Sequence, residues 1–496
     1  ANYRYSTVGL ITSLGVDFGD EQINFQDLSF NLSFPGKNGG CFTLFGLGGI
    51  SENLFEAERD SSLWEFAKDG FDITFRSKMG ALGGSYELPV GQRTLWHTAV
   101  AVSAANSSRI GERLDSEYVP VREEKDEQTE AKYTLHSFVN RKLAHAASLR
   151  LGFRLTRQYY DMLSVARAVD TLASGDGGGL LLQPYLSWSG MLSPAIRINA
   201  GLHFMYFSFS GSSALEPRIS MEWRFTPRDR LSLAYGLHSQ LQPAQLYFIH
   251  NANEGRQLGL TRAHHIVMSY RRQLGPATSL QAEAYYQSLF DVPIAADARN
   301  SFSALNLTEG FVNHALVNEG TGMNYGLEVT LQRLFTDGVF YLLNGTLYQS
   351  KYKGSDGVER DTRFNGNYIL NSTLGKEWAK QKKASRLVAW GASIRLVYLG
   401  GFRDTPIDVE ASAGSGEAVF LQEKAFSVQQ PAYFRTDLRV YRKWNRQKFN
   451  STLALDIQNL ANTQNVAFSY YDTQQMKVVE KYQLGIIPIL TYRIEF

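Results

Sequence analysis

Apolar and polar residues alternate with a period of two along most of this chain. In 217–225, Ile219, Met221, Trp223 and Phe225 fall on one side, and Arg218, Ser220, Glu222 and Arg224 on the other. In 231–238, Leu231, Leu233, Tyr235 and Leu237 oppose Ser232, Ala234, Gly236 and His238. Tyr325, Leu327, Val329 and Leu331 oppose Asn324, Gly326, Glu328 and Thr330, and Leu453, Leu455 and Ile457 oppose Thr452, Ala454, Asp456 and Gln458. The chain closes on the same pattern, with every second residue from Tyr482 to Phe496 apolar or aromatic. Successive side chains of an extended strand point to opposite faces, so this periodicity predicts strands, about twenty in all.

A soluble sheet turns its apolar face to a core, whereas a membrane barrel turns it to lipid and lines its lumen with the polar face. Three features favour the barrel. Connections alternate in length: short ones at 35–40, 226–229, 274–278, 335–338 and 444–447 fall between long polar ones near 51–71, 106–130, 160–178, 239–262, 291–322, 350–366, 400–432 and 462–480. Short turns at one rim and long loops at the other are the habit of outer-membrane barrels. Aromatics gather toward strand ends, where Trp223, Phe225, Tyr482, Tyr492 and Phe496 would form a girdle at the lipid headgroups. The polar face carries charges, among them Arg218, Glu222, Arg224, Glu328 and Asp456, which a dry core would not hold unpaired but an aqueous lumen would. The expectation is therefore an all-β transmembrane antiparallel barrel over residues 1–496, located in a bacterial outer membrane.

Composition narrows the chemistry. A length of 496 residues is more than one ordinary soluble domain needs. A net charge of +2, from 50 Lys and Arg against 48 Asp and Glu, has no polyanion signature, so nucleic acid is not expected as a partner. A single cysteine, Cys41, excludes an internal disulfide or a cysteine metal cage. No run of eighteen apolar residues offers a transmembrane helix, and the opening residues do not read as a signal peptide.

Candidate chemical motifs have plainer readings. His264 and His265 are adjacent on a strand, so they point to opposite faces and cannot share a metal. The run 174–179, SGDGGG, lacks the Lys-Ser/Thr of a phosphate cradle and reads as a loop. EEKDEQTE at 123–130 reads as a solvated loop tip. His136–Ser137 and His238–Ser239 are too local to build a hydrolytic triad, so no catalytic residues and no cofactor are expected. Ligand contacts are expected from the long loops, with Tyr247, Phe248 and His250 in QPAQLYFIHNANEGR (242–256) as candidates.

Several stretches resemble TonB-dependent outer-membrane receptors of the Bacteroidetes type, a group that often carries an N-terminal carboxypeptidase-regulatory-like domain. They include NYRYSTVGLITSLGVDFGDEQINFQDLSFNLSFP (2–35), EPRISMEWRFTPRDRLSLAYGLHSQLQP (216–243), LVNEGTGMNYGLEVTLQRLF (316–335), GGFRDTPIDVEAS (400–412) and the closing LDIQNLANTQN to YRIEF. The resemblance implies a 22-stranded barrel whose first two strands, plug and TonB box precede Ala1. It also implies energised import of a small molecule, peptide or oligosaccharide, with the TonB energising complex and outer-membrane lipid as partners. A passive pore and a non-transporting surface β-protein are the alternatives, separable from a plugged importer by conductance and by detergent dependence.

Overall fold

The computed structural model describes residues 1–5, 21–144, 146–249, 257–308, 310–383, 386–446 and 448–495. The period-two segments become antiparallel strands that pair with their neighbours in one 22-stranded sheet. It opens with β1 (Asn2–Tyr5), β2 (Glu21–Pro35), β3 (Cys41–Phe55), β4 (Phe71–Val90), β5 (Thr94–Leu114), β6 (Pro120–Ala144) and β7 (Ala147–Ala166). One end of β7 pairs with the short β8 (Asp170–Gly177) and the rest with β9 (Leu180–Ser193). The next strands are β10 (Ile196–Phe207), β11 (Ser212–Arg224), β12 (Asp229–Gln240), β13 (Thr261–Gly275), β14 (Thr278–Ala295), β15 (Leu316–Thr336) and β16 (Val339–Lys353). A three-residue β17 (Glu359–Asp361) extends the end of β16, which otherwise pairs with β18 (Tyr368–Lys383), followed by β19 (Arg386–Leu399). A two-stranded pair, β20 (Arg403–Asp404) and β21 (Val428–Gln429), lies in the next connection, before β22 (Tyr433–Asn445) and β23 (Asn450–Gln458). The hairpin of β24 (Val466–Asp472) and β25 (Lys477–Tyr482) precedes the last wall strand, β26 (Ile487–Glu495). With β8 and β17 as short additions at the rim, twenty strands make the wall, as the alternation predicts.

Among the described residues, the connections at one end are tight, at 36–40, 91–93, 194–195, 225–228, 276–277 and 337–338. Asp337 and Gly338, with φ of 54° and 74°, supply the two left-handed residues that a two-residue hairpin turn matched to strand twist requires. The opposite end carries the long connections at 56–70, 241–260, 296–315, 354–367, 400–432 and 459–486. Two expected loops are largely strand. Of 106–130, only 115–119 connects, because β5 and β6 stay paired well past the level where neighbouring strands end. The charged run at 123–130 is therefore in β6 rather than at a loop tip. It is tolerated there because its charges have partners: Arg109 bonds Glu124 across the ladder, and Lys125 lies 3.1 Å from Glu127. Of 160–178, most belongs to β7 and β8, so the glycine-rich run expected as a loop is strand through Gly177.

The sheet has one apolar and one polar face. Leu28, Leu32, Ile219, Leu327, Leu455 and Leu490 belong to the first, and all are exposed. Ion pairs belong to the second, including Arg4–Asp27, Arg435–Asp437 and Arg439–Asp456. An exposed greasy face backed by charges is the inverse of a soluble sandwich and the arrangement of a membrane barrel. No described helix is long and apolar enough to cross a membrane. Among the described residues β1 and β26 do not pair, but the connection between β3 and β4 meets the β24–β25 hairpin that precedes β26. The Ala67 N–H donates to Asp472 Oδ2 at 3.0 Å, and the Gln474 and Gln475 side-chain amides donate to the Trp64 and Glu65 carbonyls at 2.8 and 2.7 Å.

The buried apolar cluster lies on the polar face and takes in residues of 241–249 and 257–260. Leu246, Tyr247, Phe248 and Ile249 pack there against Tyr160 and Met162 of β7 and Met205 and Phe207 of β10.

Candidate ligand-binding mouth and lumen

Strand register carries each charge expected in the lumen to the polar face. Arg218, Glu222 and Arg224 alternate along β11 opposite Gly236, Ser232 and Arg230 of β12. The Arg218 guanidinium donates to Glu216 at 2.6 Å, as His203 does at 2.8 Å and the Ser239 N–H does at 2.8 Å. Glu216 is only 1% exposed, and three donors offset the cost of burying its charge. Glu328 accepts from the Asn344 amide at 2.9 Å. Asp456 takes both its contacts from Arg439, each at 2.8 Å. This wall curves into a concavity of about 530 Å³ lined by Arg150, Arg218, Asn140, Asn199, His238 and His265.

The two adjacent histidines separate as their strand geometry requires. His265 faces inward, its ring 4.6 Å from that of His238, while His264 stacks outward between Tyr235 and Phe290. Trp223 and Phe225 are exposed beside the turn at 225–228, with ring centroids 5.3 Å apart, and Phe225 stacks on Tyr270. Tyr492 is exposed on the apolar face of β26. Tyr482 does not join this belt. The terminal strand begins at Ile487, and Tyr482 ends the separate hairpin strand β25, its hydroxyl donating to Glu480 at 2.7 Å. Phe496 lies outside the described residues.

The loop candidates also need correction. Tyr247 and Phe248 are 2% and 3% exposed, inside the apolar cluster, and so present almost no surface to a ligand. Their connection is pinned from within: the Tyr247 hydroxyl accepts the Gln242 N–H at 3.1 Å, and the Phe248 carbonyl accepts the Ser174 N–H at 3.0 Å. Burial pushes the Tyr247 hydroxyl up to about 12. His250 lies outside the described residues. The aromatic richness that drew attention to this segment serves packing.

A cavity that the sequence did not reveal opens where three other connections meet. About 420 Å³ is enclosed by 300–308 and 313–314, by Arg363, and by Thr405 with 420–426. Cross-loop hydrogen bonds fix it. The Arg363 N–H donates to Asn306 Oδ1 at 2.8 Å, and Ser301 Oγ donates to Gln422 Oε1 at 3.0 Å. The Phe426 N–H donates to Thr405 Oγ1 at 3.2 Å. Asn306 Nδ2 and His314 Nε2 have no partner among the described residues. Burial lowers the His314 pKa from its ordinary value, so the ring is neutral near pH 7. Its Nδ1 lies 3.4 Å from Asn313 Oδ1. Nearby, Asp356 is also held low. Burial alone would raise it, but Arg360 at 2.7 Å and the Val358 N–H outweigh that. Helix α1 (Val409–Ser415), capped by Asp408, sits in the 400–432 connection, and Glu417 beyond it reaches Arg167 at 3.0 Å. The connections that line the cavity, around 300–314, Arg363 and 405–426, are far apart in sequence, so no local signal could have found the site.

An inside-out wall, tight turns at one rim and interlocked loops at the other describe an outer-membrane receptor. The sequence agrees: residues 3–460 match the family described as TonB dependent receptor-like, beta-barrel. This chain belongs to that family. TonB-dependent receptor barrels are outer-membrane proteins, and solved members share this fold. The ferric-catecholate import receptor Fiu of Escherichia coli K12 superposes with a TM-score of 0.67 at 10% identity, over 96% of this chain and 75% of that one. The ferric yersiniabactin uptake receptor FyuA of Yersinia pestis gives 0.67 at 13%, over 96% and 71%. The ferric preacinetobactin receptor BauA of Acinetobacter baumannii gives 0.63 at 11%, over 96% and 73%. At such identities the likeness concerns the fold alone. No curated protein sequence matches this TonB-dependent receptor barrel.

Proposed function

We propose that this barrel is the wall of an energised outer-membrane importer, which captures a small molecule, peptide or oligosaccharide at the loop end and passes it inward with work supplied by the TonB complex. The observation that carries this reading is the pairing of a charged inner wall with a mouth whose long connections are tied together. A passive pore needs only the first. Ordering 296–315, 354–367 and 400–432 against one another has an entropic cost that a ligand-binding surface justifies. Membership in the Bacteroidetes-type group is supported by the stretches at 2–35, 216–243 and 316–335.

The test is ligand uptake by whole cells, with and without a functional TonB complex, alongside bilayer conductance of the purified protein. Uptake should collapse when TonB is removed or the proton gradient is dissipated. Uptake that continues unchanged, together with large steady conductance, would replace the importer with a pore.

A further inference from the structure

The lipid-facing side of β18, β19 and β22 carries charge at one place. Leu370, Leu374 and Trp378 of β18 share that face with Trp390, Ile394 and Tyr398 of β19, and all six are exposed. Period two puts Lys376 and Lys380 on it as well, and both are exposed. On β22 the same face runs through Leu438, Val440, Arg442 and Trp444, with Arg442 directly opposite Trp390. Lys376 pairs with Val339, the first residue after the tight turn at 337–338, and Lys380 lies further along β18 in the same direction. The three cations therefore stand at the tight-turn rim.

No protein group neutralises them. Strand alternation sends Glu377, Asp437 and Asp456 to the luminal side, and no carboxylate shares the outer face of β18, β19, β22 and β23. Among the described residues Lys376, Lys380 and Arg442 have no ion pair, whereas Lys443, beside Arg442 but luminal, reaches Glu377 at 3.1 Å. Indoles hold two of the three in place. The Arg442 guanidinium lies 4.7 Å from the Trp390 ring and 4.9 Å from that of Trp444, and Lys376 Nζ lies 5.6 Å from the Trp378 ring. Such contacts orient a cation and leave its charge uncancelled. The local sequence adds to the surplus. Neither Asp nor Glu occurs in 378–403 or in 438–455, while Lys and Arg occur six times in the first and five times in the second.

A charge on the lipid-facing side is tolerated near the headgroups, the level at which a barrel also places its aromatic girdle. The anionic oxygens within reach at that level are headgroup phosphates, and basic clusters beside a bilayer attract acidic lipids. The apolar wall next to the cations, Leu374, Ile394 and Val440, is a surface for acyl chains. We propose that this patch binds an anionic glycerophospholipid of the leaflet at the tight-turn rim, with Lys376, Lys380 and Arg442 on the headgroup phosphate and Trp378, Trp390 and Trp444 framing it. The proposal needs the lipid-out wall and is independent of any transported ligand and of TonB.

Purified protein is reconstituted into phosphatidylcholine vesicles that contain a fixed fraction of phosphatidylglycerol with brominated acyl chains, or of brominated phosphatidylcholine as the reference. Bromine quenches tryptophan at contact range, and three of the seven tryptophans of this chain stand in the patch. The native protein should prefer phosphatidylglycerol about tenfold or more. Arg442→Gln should cut that preference about fivefold, the worth of one cation beside an acidic headgroup, and Arg442→Lys should keep most of it. Lys443→Gln removes the adjacent charge from the opposite face and should leave it unchanged. The double variant Lys376→Gln, Lys380→Gln spares the Arg442 sandwich and should also cut the preference, which decides the matter if Arg442→Gln does not fold, as read by heat-modifiable gel migration. Equal quenching of the native protein by the two brominated lipids would overturn the proposal and leave the patch to a protein partner. Equal losses in Arg442→Gln and Lys443→Gln, or a preference untouched in the double variant, would overturn it as well.

Discussion

Residues 455 and 456 test the inside-out wall with one inserted side chain. Leu455 sits within the nine-residue β23, paired with Val440 on one side and Leu490 on the other, and is 41% exposed on the apolar face. Asp456 is next in the chain and lies on the opposite face, bonded to Arg439. Leu455→Arg places a guanidinium in the hydrocarbon layer. A charge there costs about 2–4 kcal/mol near the midplane, which lowers the folding equilibrium roughly 30- to 700-fold. Asp456→Arg also breaks an ion pair and sets two arginines together, but that pair is solvated, so the loss is about 1 kcal/mol or less, plus a screened repulsion. The same residue should thus be several times more damaging at 455 than at 456. Both variants are refolded into lipid vesicles, and their stability is measured by urea titration with the heat-modifiable gel shift as readout. Equal midpoints, or a lower midpoint for Asp456→Arg, would refute the facing of β23 and with it the lipid-out reading of the sheet.

The rims and loops supply the remaining tests. Protease added to intact cells should cut within 400–432, at the exposed segment around Lys424, and should spare the turns at 225–228 and 337–338; cleavage at those turns in sealed cells would invert the topology. Asp472→Ala removes the acceptor of the Ala67, Gln474 and Gln475 N–H groups, so trypsin should cleave faster at Arg59 and Lys68, consistent with about 1–3 kcal/mol of lost local stability; unchanged cleavage would remove the hairpin as the latch of that rim. His314 has a lowered pKa in the fold, so the unfolded ring takes its proton first as pH falls. Its contribution is present above about pH 6.5 and declines below it, so the protection of 296–315 against hydrogen exchange, corrected for the intrinsic rate at each pH, should fall from pH 7 to 5 in the native protein but not in His314→Gln.

Periodicity gave the strands, because a strand has only two faces, and the alternation of short and long connections, the aromatic strand ends and the charged polar face together pointed to a barrel. Arg218, Glu328 and Asp456 could be assigned to the lumen from their positions between Ile219, Leu327 and Leu455. Strand number and the tight turns, such as Asp337–Gly338, followed from the same local rules. What happens above the membrane is not periodic. Polar composition at 106–130 looks like a loop, yet most of it is strand, with Arg109 paired to Glu124 across β5 and β6. Tyr247 and Phe248 look like ligand-contact residues, yet Tyr160, Met205 and Phe207, all remote in sequence, bury them. Tyr482 continues the alternation of the last strand, yet pairing with β24 takes it off the wall. The cavity around Arg363 joins residues more than a hundred positions apart. Which side chains meet there depends on the order in which the strands pair side by side in the sheet, and that order is a property of the tertiary fold rather than of any stretch of the chain.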